Sequence, residues 1–188
     1  MRYVVSEIRN TASLERSSTQ LEYGRGTDSE NSIDSLIQTV VPKETNAFIW
    51  KWHIPYFYCH FTECIQHSGY LRLMEEVVDL FLANRGISIR TMLNTRQWIP
   101  VVPSANVEIL QEALMEETIY TVYTVENIFK KTTYTSRMDC YVEREGVLIH
   151  TATGSITHGY AKIHNLRDWT LVEFDEETLS ALNYPGVA

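Results

Sequence analysis

Ser68-Gly-Tyr-Leu-Arg-Leu-Met-Glu-Glu-Val-Val-Asp-Leu-Phe-Leu-Ala-Asn-Arg-Gly86 is the stretch on which the reading of this chain turns. Within it Tyr70, Leu71, Leu73, Met74, Val77, Val78, Phe81 and Leu82 recur at intervals of three and four, which lays a wide apolar stripe along one helix. Ser68 is the expected N-cap, because its hydroxyl can accept from an open amide of the first turn, and Arg85-Gly86 is the expected stop. A stripe of that width predicts a helix buried along most of its length, and therefore a second layer that wraps it.

The flanking sequence supplies that layer. Upstream, Ala47-Phe-Ile-Trp-Lys-Trp-His-Ile-Pro-Tyr-Phe-Tyr-Cys-His60 is aromatic and β-favouring, and is expected to be the first strand, with Pro55 marking an edge or a bulge. Downstream, Trp98–Leu110 carries Pro100 and Pro103 and then alternates Ala105, Val107 and Ile109 with Asn106 and Glu108. Thr118–Ile128 and Lys131–Glu143 follow, joined by a bend over Asn127–Lys131. The second of these places Tyr134, Ser136, Met138, Cys140 and Val142 on one face, and Thr133, Thr135, Arg137, Asp139 and Tyr141 on the other. Glu145-Gly146 closes another hairpin into a strand from Val147 to about Ala161, where Ala152, Gly154, Ser155 and Gly159 permit close approach of a helix or a ligand. A strand, a long helix and then strands in succession define an α+β domain with a meander-like antiparallel sheet, distinct from alternating βαβ units. No Gly-rich phosphate loop follows a strand, which weighs against nucleotide binding.

Outside this domain, placed at residues 47–165, the chain changes character. Residues 1–46 form a polar N-terminal extension, rich in Ser, Thr, Glu and Asn from Asn10 onward and including Gly24-Arg25-Gly26. Ile33, Leu36, Ile37 and Val40 have helical spacing in it, so part of this arm is expected to dock on the domain or on a neighbouring subunit. Residues 166–188 form a tail with a short helix expected to start at Asp175.

The 188 residues suit one domain plus an appendage, and 44% hydrophobic against 21% charged residues is the composition of a globular protein. The formal net charge of −8 repels phosphates and anionic surfaces, so neither nucleic acid nor membrane is expected as a partner. Cys59, Cys64 and Cys140 are an odd number without the spacing of a disulfide framework, and reduced thiols are the simpler reading. The N-terminus shows no signal-like apolar run, and no stretch approaches the roughly 18 apolar residues of a membrane span. A cytoplasmic, soluble protein is expected.

Chemistry is concentrated just before the long helix, in Cys59-His60-Phe61-Thr62-Glu63-Cys64-Ile65-Gln66-His67. A polar turn with ordinary hydrogen bonds is one account of it. As a reactive site, its best candidates are His60 and Glu63, with His67 third. A metal site built from Cys59, Cys64 and His67 is a minor alternative, because the paired short spacings of structural zinc sites are missing. A Cys64 nucleophile activated by His67 is weaker still.

Four pieces of this text resemble the hotdog-fold thioesterase superfamily, in particular its 4-hydroxybenzoyl-CoA thioesterase-like and enediyne-type branches. They are His53-Ile-Pro-Tyr-Phe57, Gly69-Tyr70-Leu71-Arg72-Leu73-Met74-Glu75-Glu76, the run Ile99–Leu110, and Gly146-Val-Leu-Ile-His-Thr-Ala-Thr-Gly154. The resemblance covers roughly Trp50 to Lys162, and it rests on the order and spacing of these pieces. It implies a long central helix wrapped by a curved antiparallel sheet of about five strands. It also implies hydrolysis of acyl-CoA or acyl-carrier-protein thioesters with no metal or organic cofactor, by homo-oligomers, dimers or tetramers, whose active sites lie between subunits.

The resemblance further implies that the helix start, with Ser68, Gly69 and Tyr70, polarises the thioester carbonyl while a nearby carboxylate activates water or attacks. Ten residues before Tyr70, where the family keeps Asp or Asn, this chain has His60; three residues later, where Gly is usual, it has Glu63. Either His60 is the general base and Glu63 orients it, or Glu63 takes the carboxylate's role. Glu75 and Glu76 are candidate substrate contacts near the place where another branch keeps its carboxylate; as acids near a helix start they are equally explained by the dipole. Arg137 and Asp139 are expected to form a solvated salt bridge, and Lys130-Lys131 to meet either solvent, as exposed lysines at a hairpin bend commonly do, or a CoA phosphate or an acidic carrier protein. The alternatives to hydrolysis are a related acyl-thioester reaction, such as dehydration or acyl transfer in polyketide or fatty-acid assembly, and a non-catalytic acyl-binding or interaction scaffold.

Overall fold

A computed structural model describes residues 36–41, 43, 45–165 and 168–183. Most of the N-terminal arm, including Gly24-Arg25-Gly26 and Ile33, and the last five residues lie outside that set.

The first strand, β1 (Phe48–His53), is shorter than the sequence suggests. Pro55 ends it, because its ring fixes φ and it has no N–H for a ladder. The chain then makes one helical turn, α1 (Tyr56–Cys59), with Pro55 as its N-cap. After the polar turn comes the central helix, α2 (His67–Asn84), whose buried residues are Gly69, Tyr70, Leu73, Met74, Val77, Val78, Phe81 and Leu82. The apolar stripe thus forms the buried face that its spacing predicts. The helix begins two residues earlier than expected, with Gln66 rather than Ser68 at the N-cap, and Gln66 makes no side-chain cap bond. Its amide donates instead to Thr62 Oγ1 at 2.5 Å. Arg85 is the C-cap, and Gly86 follows at φ +79°, a conformation that favours glycine. A second helix that the periodicity does not reveal, α3 (Ile89–Arg96), buries only Met92 and starts where Ser88 Oγ accepts from the Thr91 amide at 3.2 Å.

The remaining strands are β2 (Trp98–Ile109), β3 (Thr118–Phe129), β4 (Thr133–Arg144), β5 (Val147–Asn165) and β6 (Asp168–Leu171). All pairings are antiparallel, in the order β1-β3-β4-β5-β2, with the short β6 added beside the end of β5. In β2 the register slips between Val101 and Ser104, which removes Val102 and Pro103 from the ladder. A proline is tolerated there because β2 is an edge strand and the bulge needs no N–H. β4 alternates as its sequence predicts: Tyr134, Ser136, Met138, Cys140 and Val142 are all buried.

Those side chains, with Ile119, Tyr123, Ala152, Ile156 and Tyr160 from the neighbouring strands, meet the stripe of α2 in one core. Helix and sheet pack tightly at Gly154, where an added Cβ would lie 2.7 Å from Met74 Cε and 2.5 Å from the Asn106 carbonyl oxygen. The tail closes one part of this core. Asp175 caps α4 (Glu176–Asn183) by accepting from the Thr178 amide at 2.8 Å, and Phe174 and Leu182 are buried. On the other side of the sheet, residues 36–40 are helical, and Ile37 is buried against Tyr120 and Val122. The described part of the arm therefore docks on this chain's own sheet. Among the described residues, no helix is long and apolar enough to cross a membrane.

Candidate active site

The turn that joins α1 to α2 is held rigidly from below. The amide of Ile65 donates to the Ala113 carbonyl at 3.0 Å, that of Met115 to the Glu63 carbonyl at 2.7 Å, and that of Gln66 to the Tyr58 carbonyl at 3.1 Å. Thr62 Oγ1 completes the turn by donating toward the carbonyls of Cys59, at 2.8 Å, and Cys64, at 2.9 Å. The segment 113–117 that backs the turn is itself clamped by a two-pronged pair, Arg144 Nε to Glu117 Oε1 at 2.6 Å and Arg144 to Glu117 Oε2 at 2.8 Å.

On this base, His60 occupies an uncommon backbone conformation, φ 52° and ψ −123°, as C-cap of α1. L-residues rarely adopt it, and such strain persists only where surrounding contacts enforce it. Here the His60 amide donates to the Tyr56 carbonyl at 2.8 Å, and its ring lies 6.0 Å from that of Phe57. His60 is half-buried, whereas the side chains of Glu63, His67 and Ser68 are exposed.

The expected backbone donors require a correction. The Gly69 and Tyr70 amides both donate to the Gln66 carbonyl, at 2.8 and 3.1 Å, so neither is open to a ligand. With the helix starting two residues earlier, the open amides are those of His67 and Ser68, which meet no acceptor among the described residues. Gly69 serves packing instead. A Cβ there would lie 2.7 Å from the Tyr58 carbonyl oxygen, so only glycine lets α1 sit this close to α2.

The two glutamates of α2 are separated by their partners. Glu76 accepts a hydrogen bond from the Tyr58 hydroxyl, and burial together with that carboxylate raises the phenol's pKa. Arg72 beside it lies over the Phe57 ring at 4.6 Å. Glu75 points to the sheet, where its Oε2 is 3.6 Å from Nε2 of His158. His158, which the sequence reading passed over, is 1% exposed on β5. The signal was present in the alternation Gly154, Ile156, His158, Tyr160, which puts a titratable ring on the core face.

The remaining candidates fall elsewhere. Cys59 and Cys140 are buried, and burial raises both thiols, Cys140 to about 12, which disfavours the nucleophilic thiolate. Among the described residues, no group of three or more His, Cys, Asp or Glu side chains is placed to hold a metal ion. Arg137 and Asp139 pair at 2.8 Å on the outer face of the sheet. Lys130 and Lys131 form the β3–β4 turn, where Lys131 pairs with Glu176 of α4 at 3.3 Å.

An antiparallel sheet curled around one long helix is the hotdog fold, and thioesterases are prominent among the solved structures that share it with this chain. The 4-hydroxybenzoyl-CoA thioesterase of Pseudomonas sp. strain CBS-3 matches with a TM-score of 0.65 at 10% identity, over 72% of this chain and 99% of that one. The dynemicin thioesterase, solved in work on polyene binding, matches with a TM-score of 0.66 at 13% identity, over 76% of this chain and 99% of that one. A hypothetical protein of Aquifex aeolicus matches with a TM-score of 0.62 at 20% identity, over 72% and 99% of the two chains. No protein-family model matches the chain, and no curated protein matches it in sequence.

Proposed function

We propose that this protein hydrolyses an acyl thioester presented on CoA or on an acyl carrier protein, at the start of α2. The observation that carries this reading is the uncapped helix start: His67 and Ser68 offer two open amides at the positive end of an 18-residue helix. Two such donors suit the oxyanion that forms when a thioester carbonyl is attacked, and they require no rearrangement during the reaction. His60 is the general base for water, with Glu63 orienting it and His67 as a further proton carrier. The hydrolases among the structural neighbours, including those named for hydroxybenzoyl-CoA, gentisyl-CoA and dihydroxynaphthoyl-CoA, support the same chemistry.

The reading extends to assembly. β2 is an edge strand with Val102, Pro103, Ser104, Ala105 and Asn106 exposed, and its outer side faces no other strand among the described residues. A second copy that covers this edge makes a homodimer, and pairs of dimers make a tetramer.

The test is release of free thiol from a panel of acyl-CoA and acyl-carrier-protein thioesters, followed by mass spectrometry of the acyl product. A free carboxylic acid supports hydrolysis. A dehydrated or transferred acyl group points to a related reaction of the same thioester, and tight binding without turnover points to a scaffold. Light scattering on the same sample reads the oligomeric state.

A further inference from the structure

Tyr70 on α2 is fully buried, and all three cysteines of the chain, Cys140, Cys64 and Cys59, are near enough to act on the ionisation of its hydroxyl. Cys140 belongs to the core face of β4, whereas Cys59 and Cys64 are the two ends of the turn that carries His60 and Glu63. That turn is folded so that its ends meet. The Thr62 hydroxyl ties both together, at 2.8 Å from the Cys59 carbonyl oxygen and 2.9 Å from that of Cys64. One residue further out on the first side, the Tyr58 carbonyl accepts from the Gln66 amide at 3.1 Å. Two cysteines whose backbones share one hydroxyl meet the first requirement of a disulfide, which spans Cα atoms roughly 4.4–6.8 Å apart. Their side chains also face the same way, since both reach Tyr70, and Cys64 adds to the effect of burial in raising the Cys59 thiol.

The two thiols differ in access. Cys64 is half-buried and Cys59 is fully buried. An accessible thiol is the first to meet an oxidant from solution, and a buried neighbour then reacts as its intramolecular partner, helped by proximity. Cys140 lies inside the core, where burial raises its thiol to about 12, and it takes no part.

We propose that Cys64 and Cys59 form a reversible disulfide that switches off the site at the start of α2, with a low-molecular-weight disulfide as the oxidant. As regulation, this rests on the reading that His60 is the base of that site. The Cys64 thiol gives its proton to solvent and attacks one sulfur of the small disulfide, so that a new S–S bond forms to Cys64 while the other half leaves and takes up a proton. The Cys59 thiol, deprotonated in turn, attacks Cys64 Sγ, and the second half leaves as a thiol. Two protein thiols are thereby oxidised to one disulfide, and the small disulfide is reduced to two thiols. The new bond closes a ring around His60, Phe61, Thr62 and Glu63. Cys59 is the last residue of α1 and His60 is its C-cap, so drawing the Cys59 sulfur out of the core turns the strained backbone of His60 with it. The imidazole is carried away from the amides of His67 and Ser68, and reduction returns it.

The test reads the covalent change separately from turnover. Reduced protein is incubated with glutathione disulfide at set ratios to glutathione, quenched with acid and digested without reductant for mass spectrometry. A Cys59–Cys64 cross-link with no glutathione retained is expected. Cys59→Ala is expected to stop with glutathione held on Cys64. Cys64→Ser, which alters only the half-buried thiol and so guards against a Cys59 variant that fails to fold, is expected to remain unmodified. Oxidation is expected to move the His60 imidazole resonances in NMR spectra and to lower release of the free acid tenfold or more. Both changes are expected to reverse with dithiothreitol and to be missing in Cys64→Ser. Glutathione that stays on Cys64 of the wild type, a cross-link that includes Cys140, or a Cys59–Cys64 cross-link that leaves His60 and acid release unchanged would overturn the proposal. Turnover in a protein that forms no cross-link removes the switch and leaves the hydrolytic reading intact. A cross-link that moves His60 in a protein without turnover does the reverse.

Discussion

The carbonyl of Tyr58 rests against the Cα of Gly69, so that a Cβ at Gly69 would come within 2.7 Å of that oxygen and 2.9 Å of Ile65 Cγ2. Backbone cannot yield there without moving α1, and α1 carries His60 at its end. Gly69→Ala is therefore expected to cost about 1–3 kcal/mol, as overpacking does, and to lower thiol release by shifting His60 from the helix start. Ser68→Ala, one residue away and exposed, is expected to stay within about 0.5 kcal/mol of wild type. Urea denaturation and the thiol-release assay on both variants check the pair.

The Arg144–Glu117 clamp carries a pH signature. The Arg144 hydrogen bonds, helped by the Leu114 amide and opposed by burial, hold the Glu117 carboxyl below its ordinary value. A carboxyl with a depressed folded-state pKa contributes stability that is complete above its unfolded pKa and is lost as pH falls through the folded value. Stability is thus expected to drop below about pH 4.5, with Asp139 and Asp175 acting in the same sense because their pKa values are also lowered. Glu117→Gln is expected to cost about 1–2 kcal/mol at neutral pH and to flatten this acid limb. Urea midpoints measured from about pH 3 to pH 7 on both proteins test it; identical slopes would remove Glu117 as a contributor.

The fold was legible because its largest elements obey one period each. The three-and-four spacing from Tyr70 to Leu82 has one physical solution, a helix buried on one side, and the alternation from Thr133 to Val142 likewise has one, a strand with a single core face. What the sequence hid depends on contacts between distant residues. Pro55 was visible as a break, but the helical turn after it depends on Tyr58 docking against Gly69. α3 lacks a stripe because only Met92 is buried, and β6 has only four exposed residues. At the site, two residues of error in the helix start moved the open amides from Gly69 and Tyr70 to His67 and Ser68. Glu75 and Glu76 are equivalent as text, and only the approach of His158 and Tyr58 from separate elements tells them apart.

Asn46 joins three elements that the sequence leaves unconnected. Its Oδ1 accepts from the Val125 amide at 3.1 Å beside the β3 bulge, its Nδ2 donates to the Leu182 carbonyl in α4, and its own carbonyl accepts from Arg85 at 3.1 Å. Asn46→Ala strands a buried amide and a buried carbonyl, which is expected to cost about 2–3 kcal/mol. Hydrogen exchange is expected to rise first in α4, since Leu182 loses its tie to the sheet. Uniform acceleration across all strands would instead mark a global effect without a local clamp.

His60 offers the sharpest separation of structure from function. At φ 52° and ψ −123° a residue with a Cβ is strained by roughly 1–3 kcal/mol, whereas glycine takes that conformation freely at the expense of added freedom in the unfolded chain. His60→Gly is thus expected to stabilise the fold by about 1 kcal/mol, while His60→Ala, which keeps the Cβ, gains nothing. If the imidazole is the base, both variants lose thiol release together, by about 100-fold or more, although one is more stable than wild type and the other is not. A purely structural His60 predicts the opposite coupling, with His60→Gly retaining the wild-type rate. Chemical denaturation and thiol release measured on the same two preparations decide between them, because a gain in stability accompanied by a loss of rate has no account in which this histidine merely shapes the turn.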